Sequence, residues 1–301
     1  MELTILGCHS ATPRESKQTT AQVLNVGGHL FLIDCGEGTQ IQLRKAKIKF
    51  SRIKHIFISH LHGDHFYGLV GLISTFRLLG RATPLHIYGP KGIKEIITLQ
   101  LKYANSWTDY PLNFTELDET HSRFLFEDSV VKVSTIPLDH RIYTNGFLFE
   151  TQPGLRKINK EATAPLDLAP EDYQKLQTGA DIVLSTGEKI KNEHLTQEPM
   201  AVKRYAFCSD TGYYEPIIPH IRGVDLLYHE ATFLDAHIDL AENTKHSTVK
   251  QAATIAQKAG VKKLMIGHYS SRYKEKEAFL KEGKTIFEPI VLSEDLKRIS
   301  I

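Results

Sequence analysis

Residues 55–65 read HIFISHLHGDH: an apolar run that gives way to three histidines and an aspartate within six positions. The run has the composition of a buried strand, and the six residues after it carry ligand chemistry. On a loop leaving such a strand, alternate residues turn the same way. His60 and His62 can then chelate one cation, while Asp64 and His65 face a neighbouring one. Imidazole nitrogen and carboxylate oxygen suit Zn²⁺ at about 2.0–2.2 Å, and Gly63 permits the tight backbone between them. Three imidazoles and a carboxylate so close together are hard to justify as solvated surface.

The rest of the chain repeats the habit. Strand-like runs fill its first third (LTIL, AQVLNV, HLFLID, HIFIS), and Gly27-Gly28 predicts a hairpin between the second and third. Helical periodicity follows at TQIQLRKAK, YGLVGLISTFRLLG and KGIKEIITLQLKYAN. Strand-like runs resume at VVKVSTIPLDH, TNGFLFET, VKRYAFCSD, VDLLYHEA and VKKLMIGH. A helix is expected over STVKQAATIAQKAG, capped by Ser247 and closed at Gly260. Apolar strands that end on polar, ligand-capable residues predict a layered α/β protein with its site along one rim.

Residues 151–199 differ. They hold four of the twelve prolines, six basic against eight acidic residues, and little apolar periodicity. They read as an extended arm inserted into a single domain spanning 1–301. The single tryptophan, Trp107, is expected in the core or an interface.

Composition narrows the class. The formal net charge is +2, too mild to announce a nucleic-acid binder by itself. Three sparse cysteines, Cys8, Cys35 and Cys208, argue against a disulfide framework and for a reducing compartment. Neither a signal peptide nor an apolar stretch near the ~20 residues of a membrane span is visible. The expectation is a soluble cytoplasmic protein without a membrane partner. Histidine, at fifteen, is the unusual count; His9, His29, His55, His86, His121, His194, His220 and His237 read as ordinary surface or core residues.

SHLHGDH after an apolar strand resembles the signature of the metallo-β-lactamase superfamily. The resemblance implies a four-layer αββα sandwich and completes the site one position at a time: TIPLDH supplies His140, YAFCSDTGY supplies Asp210, and KLMIGHYS supplies His268. It implies two zinc ions per subunit, one on His60, His62 and His140, the other on Asp64, His65 and His268, with Asp210 between them. Cys208 is left as a core residue.

Further motifs resemble one branch, the ribonuclease Z family of tRNA 3′-processing endonucleases in its short bacterial form. They are FLIDCGEGTQIQL (31–43), YHEATF around Glu230, KHST around His246, and GHYSSRY with Arg272. The implied reaction removes the 3′ trailer from precursor tRNA through a hydroxide on the two zinc ions, leaving a 3′-hydroxyl. His246 would protonate the departing ribose oxygen, with Glu230 orienting it; Asp64, Glu230 and His246 are thus the expected catalytic residues. Arg272 would contact phosphate. The resemblance also implies a homodimer in which the arm grips tRNA, and here Arg156, Lys157 and Lys160 are the arm's local basic group. The arm keeps Tyr173, Lys175 and Leu176 of the family's Tyr-x-Lys-Leu stretch but has Pro170-Glu171 ahead of it. Two other readings compete: a superfamily hydrolase of small phosphodiesters or arylsulfates, and a silent RNA-binding module.

Overall fold

A computed structural model describes all residues, 1–301. In chain order its strands are β1 (Glu2–Gly7), β2 (Ala21–Val26), β3 (His29–Ile33), β4 (Ile53–Phe57), β5 (Leu85–Pro90), β6 (Leu112–Leu117), β7 (Phe124–Glu127), β8 (Val131–Pro137), β9 (Asn145–Thr151), β10 (Lys157–Ile158), β11 (Ile182–Val183), β12 (Lys189–Ile190), β13 (Thr196–Gln197), β14 (Arg204–Cys208), β15 (Leu226–Glu230), β16 (Leu264–Gly267), β17 (Ile290–Leu292) and β18 (Arg298–Ser300). Two seven-stranded sheets result, ordered β18-β1-β2-β3-β4-β5-β6 and β17-β16-β15-β14-β9-β8-β7.

The layers follow from side-chain alternation. Leu30 and Leu32 of β3 join one apolar cluster, Phe31 and Ile33 another, as a period of two requires. The Leu30 side packs against helices Thr39–Lys45, Leu69–Leu78 and Ile93–Tyr103 through Leu43, Leu72, Phe76 and Ile97. The Phe31 side meets the second sheet: Phe31 lies 5.6 Å from Phe149, and Phe57 lies 5.3 Å from Phe147, between ring centroids. Each tilted pair adds about 0.5–1.5 kcal/mol to what area burial gives. Beyond the second sheet, helix Val249–Ala259 presents Ala252, Ala253, Ile255 and Ala256 to the same cluster. This αββα order is the one the sequence suggested.

Turn chemistry sets local register. Gly27 and Gly28, both with positive φ, close the β2–β3 hairpin, whose last pair is Val26 with His29. Helix Val249–Ala259 is capped one residue later than expected. Thr248, not Ser247, accepts the Gln251 amide, and the Gln251 side chain returns the bond. Ser247 is buried instead and donates to the Thr211 carbonyl at 2.8 Å. Trp107 is 49% exposed, so the core reading fails.

Residues Thr151–Val202 form a separate compact unit. It is less extended than its composition suggests. Helices Lys160–Thr163, Pro170–Gln177 and Asn192–Leu195 and two short hairpin-like pairings enclose Leu176, Ile182 and Leu195, all buried. Three apolar side chains are too few to show as periodicity, yet they suffice to close a small core. No helix of the chain is long and apolar enough to cross a membrane.

One glycine in the 31–43 stretch is tied to the site. A Cβ on Gly36 would lie 2.3 Å from the Asp64 carbonyl oxygen and 2.2 Å from Thr19 Oγ1. Gly36→Ala should therefore cost about 1–3 kcal/mol through overpacking, measured by urea denaturation. Gly71→Ala serves as the contrast. It sits inside helix Leu69–Leu78, and its Cβ would meet only the end of the Gln40 side chain at 3.2 Å. It should be neutral, or stabilising by about 0.5–1 kcal/mol.

Candidate metal centre

The loops after β4, β8, β14 and β16 bring together the seven side chains named from the sequence. His60 and His62 follow β4, and Asp64 and His65 lie on the single turn Gly63–Phe66. His140 follows β8. Asp210 and His268 each stand just beyond a parallel strand, with φ of 60° and 62°. A left-handed backbone costs a non-glycine residue roughly 1–2 kcal/mol, and here it turns both side chains out of the strand ends.

Two sets of donors result. His60 Nε2 lies 3.0 Å from His62 Nδ1, which lies 3.2 Å from His140 Nε2. Asp210 Oδ2 stands 3.5 Å from His60 Nε2 and 3.8 Å from His140 Nε2. The other carboxylate oxygen of Asp210, Oδ1, is 3.2 Å from both His65 Nε2 and His268 Nε2. Asp64 Oδ2 completes that set at 3.6 and 3.4 Å from the same nitrogens. Four donors around one tetrahedral ion at about 2.0–2.2 Å stand roughly 3.3–3.6 Å apart. The residues fit two cations sharing Asp210.

The hydrogen bonds behind the donors fix the tautomers. Asp34 Oδ2 accepts from His65 Nδ1 at 2.7 Å and from the Ser59 hydroxyl at 2.9 Å. With its proton given to Asp34, Ser59 Oγ accepts from His60 Nδ1 at 3.0 Å. The Lys245 carbonyl accepts from His140 Nδ1 at 2.8 Å. Thr232 Oγ1 donates to Glu230 and so accepts from His268 Nδ1, at 2.9 Å. In all four rings the proton is held at Nδ1, leaving Nε2 bare toward the centre. His65 Nε2 is buried without a hydrogen-bond partner.

Charge points the same way. Burial holds His60, His62 and His140 below the usual histidine range, in the neutral form that ligates. Burial also opposes charge on His65, but Asp210, Asp64 and Asp34 outweigh it and raise its proton affinity well above normal. Three carboxylates around one buried ring make a site that demands positive charge.

Glu230 and His246 stand beside these donors. Glu230 Oε1 is 2.6 Å from His246 Nδ1 and accepts the Thr211 amide; its Oε2 accepts the Thr232 amide and hydroxyl. A carboxylate with four hydrogen bonds has no free lone pair for a cation, so the cluster of Asp210, Glu230, His246 and His268 reads as donors plus an ion pair. Burial opposes charge on His246, yet Glu230 raises its pKa to about 9. The ring lies 5.0 Å from that of His140 and 5.4 Å from that of His268.

Other expected residues are placed differently. Arg272 is exposed; its guanidinium lies 5.4 Å from the Phe233 ring centre, and its Nε lies 3.3 Å from Ser270 Oγ. Arg156 is not a free cation. The β10–β13 pairing sets it against Thr196 at 2.7 Å and Glu198 at 2.5 Å. Lys157 and Lys160 are exposed. Cys208 is buried in the apolar core. Asp34 and Thr232 were not singled out from the sequence. Their only signal was position, Asp34 at the end of HLFLID and Thr232 within YHEATF.

The family model described as "Anti-Pycsar protein Apyc1" matches residues 1–151, a span that includes His60 to His140 and ends before Asp210. The chain is 44% identical to the ribonuclease Z of Bacteroides fragilis and 46% identical to that of Parabacteroides distasonis, each alignment covering 100% of this chain and 99% of the relative. Among solved structures, that of human tRNase Z, short form, gives a TM-score of 0.72 at 28% identity over 100% of this chain and 99% of the other. The metallo-beta-lactamase fold protein YhfI from Bacillus subtilis gives 0.70 at 17% identity over 99% of each, a likeness of fold alone.

Asp34→Asn keeps the shape at position 34 but removes the charge holding His65 Nδ1–H. It should weaken metal binding about 10–100-fold, measured by competition with a chromophoric chelator. An unchanged affinity would refute the positioning role.

Proposed function

Because the chain belongs to the ribonuclease Z family, and by residues 1–151 also to that of Anti-Pycsar protein Apyc1, it is a metal-dependent endoribonuclease that removes 3′ trailers from precursor tRNA, and we propose that two zinc ions per subunit serve it. The match to the ribonuclease Z relatives spans the whole chain, whereas the Apyc1 match ends at residue 151. His60, His62 and His140 would hold one ion and Asp64, His65 and His268 the other, with Asp210 shared. The observation that carries this reading is Asp210, whose two oxygens face different imidazole sets. When bound, such a pair of ions lowers the pKa of water and stabilises charge on an attacked phosphate.

The chain's own residues do the rest. Glu230 holds His246 Nδ1 and favours the protonated ring, so Nε2 can give its proton to the departing 3′-oxygen of the tRNA. As the P–O3′ bond breaks, that oxygen stays on the tRNA as its 3′-hydroxyl, and the phosphate, having gained the oxygen of water, departs with the trailer. Asp64, accepting the Ala11 amide at 2.7 Å, is held in place as a ligand beside the reacting centre. Arg272 supplies an exposed guanidinium for phosphate, and Lys157 and Lys160 offer the arm's charge to the tRNA backbone. Arg156 supports the arm through Glu198 and Thr196 instead.

A homodimer acting in the cytoplasm completes the proposal. Ile41, Tyr67, Leu78 and Leu79 support it. They are 57–85% exposed on or beside two helices that touch each other, a concentration of apolar side chains that suits burial against a second copy. Leu78→Glu combined with Leu79→Glu should shift sedimentation to the monomer; an unchanged dimer would move the interface elsewhere.

His246→Ala tests the proton donor. It should keep the wild-type zinc content by elemental analysis while trailer cleavage falls about 10²–10⁴-fold, with the wild-type cut mapped just after the unpaired nucleotide that follows the acceptor stem. Turnover at the wild-type rate would remove the assignment.

A further inference from the structure

Another group of donors lies on the loop that braces the centre. The Cys8 carbonyl accepts the amides of His268 at 2.8 Å and Tyr269 at 3.3 Å. Three residues on, Ala11 N–H donates to Asp64. Between these anchors, Cys8 and His9 turn their side chains toward Asp295. Cys8 Sγ is 3.4 Å from Asp295 Oδ1, His9 Nδ1 is 3.6 Å from the same oxygen, and Sγ and Nδ1 are 3.8 Å apart. Cys8 and His9 are buried, and the Asp295 side chain is 15% exposed.

His9 is the anomaly. Its Nδ1 contacts are longer than the 2.7–3.2 Å of an ordinary N–H···O bond, and its Nε2 is buried with no partner at all. Nδ1 is the nitrogen within 4 Å of both Cys8 Sγ and Asp295 Oδ1, and a buried ring nitrogen without a well-formed N–H···O bond is costly. Read as hydrogen bonds, the His9–Asp295 spacing is too long, whereas the two that involve Cys8 Sγ are normal for sulfur. Read as edges between donors sharing one ion, all three are ordinary, because sulfur at about 2.3 Å and nitrogen or oxygen at about 2.0–2.2 Å from a common centre stand that far apart.

We infer that Cys8, His9 and Asp295 form a further cation site, outside the seven-residue centre, for a divalent ion that accepts thiolate, imidazole and carboxylate together. Zn²⁺ is the ion such a donor set suits. Burial pushes the Cys8 thiol up to about 12, so the ion has to displace its proton; Lys276 Nζ, 3.9 Å from Sγ and also bonded to the Ser293 carbonyl, offsets part of that cost. Asp295 Oδ2 accepts the Gln18 amide at 2.9 Å, which leaves Oδ1 for the ion. A cation there would tie residues 8–9 to the C-terminal segment at Asp295. It would thereby steady the backbone groups that hold His268 and Asp64.

Cobalt distinguishes this site from the other, whose donors include no sulfur. The full-length chain is produced in cobalt-supplemented medium, and its near-ultraviolet absorption and cobalt content are measured. A sulfur-to-cobalt charge-transfer band is expected, lost in Cys8→Ser together with one equivalent of metal and retained in Cys208→Ala. His9→Ala, which leaves every thiol in place, should weaken or shift the band and covers the case in which Cys8→Ser does not fold. Absence of the band in the wild-type chain, or its persistence unchanged in the folded Cys8 or His9 variant, overturns the inference. Neither result bears on the nitrogen and oxygen centre, whose ions give no such band.

Discussion

His65 is fully buried among Asp34, Asp64 and Asp210, and that crowding is the constraint the rest of the structure answers to. Carboxylates cannot be gathered in a dry interior unless positive charge is gathered with them. The fold meets the demand from behind and in front. Asp34 is neutralised through the His65 proton and the Ser59 hydrogen bonds, while Asp64 and Asp210 are left to face the bare Nε2 atoms. Everything nearby keeps that polarity: the left-handed turns at Asp210 and His268, the missing Cβ at Gly36, and the amide of Ala11 on Asp64.

The Glu230–His246 pair obeys the same rule in a different form. Glu230 is as deeply buried as His65, but its charge is spent on two amides, a hydroxyl and His246. Thr232 touches both systems, giving its proton to Glu230 and taking one from His268. A single hydroxyl therefore links the group that would hold a metal to the group that would release a proton.

Much of this was legible in the chain. Period-two alternation and paired glycines mark the strands and the first hairpin; the cluster after one strand names His60, His62, Asp64 and His65, and the family resemblance adds His140, Asp210 and His268, all of which the structure brings together. What alternation cannot reveal is contact across the fold. The Lys245 carbonyl behind His140 is 105 residues away, and nothing in either segment announces it. Asp34 looks like any acidic residue closing a strand. Arg156 looks like a free cation until β10 and β13 pair and set Glu198 beside it. Ser247 and Thr248 are both capping residues, and only the Thr211 carbonyl, by claiming Ser247, decides which one caps. The arm's small core escaped because three apolar side chains leave no period.

The provenance of the donors has a consequence for how the molecule matures. Each set draws two side chains from loops of the first sheet and two from loops of the second: His60 and His62 with His140 and Asp210, Asp64 and His65 with His268 and Asp210. Neither sheet alone offers more than half a coordination shell. A newly made chain must accordingly close its sandwich before it can load, and the aromatic seam of Phe31, Phe57, Phe147 and Phe149 has to hold the halves in register unaided. A metal ion held between them would act as a cross-link, and its binding energy would add to the cohesion of the seam.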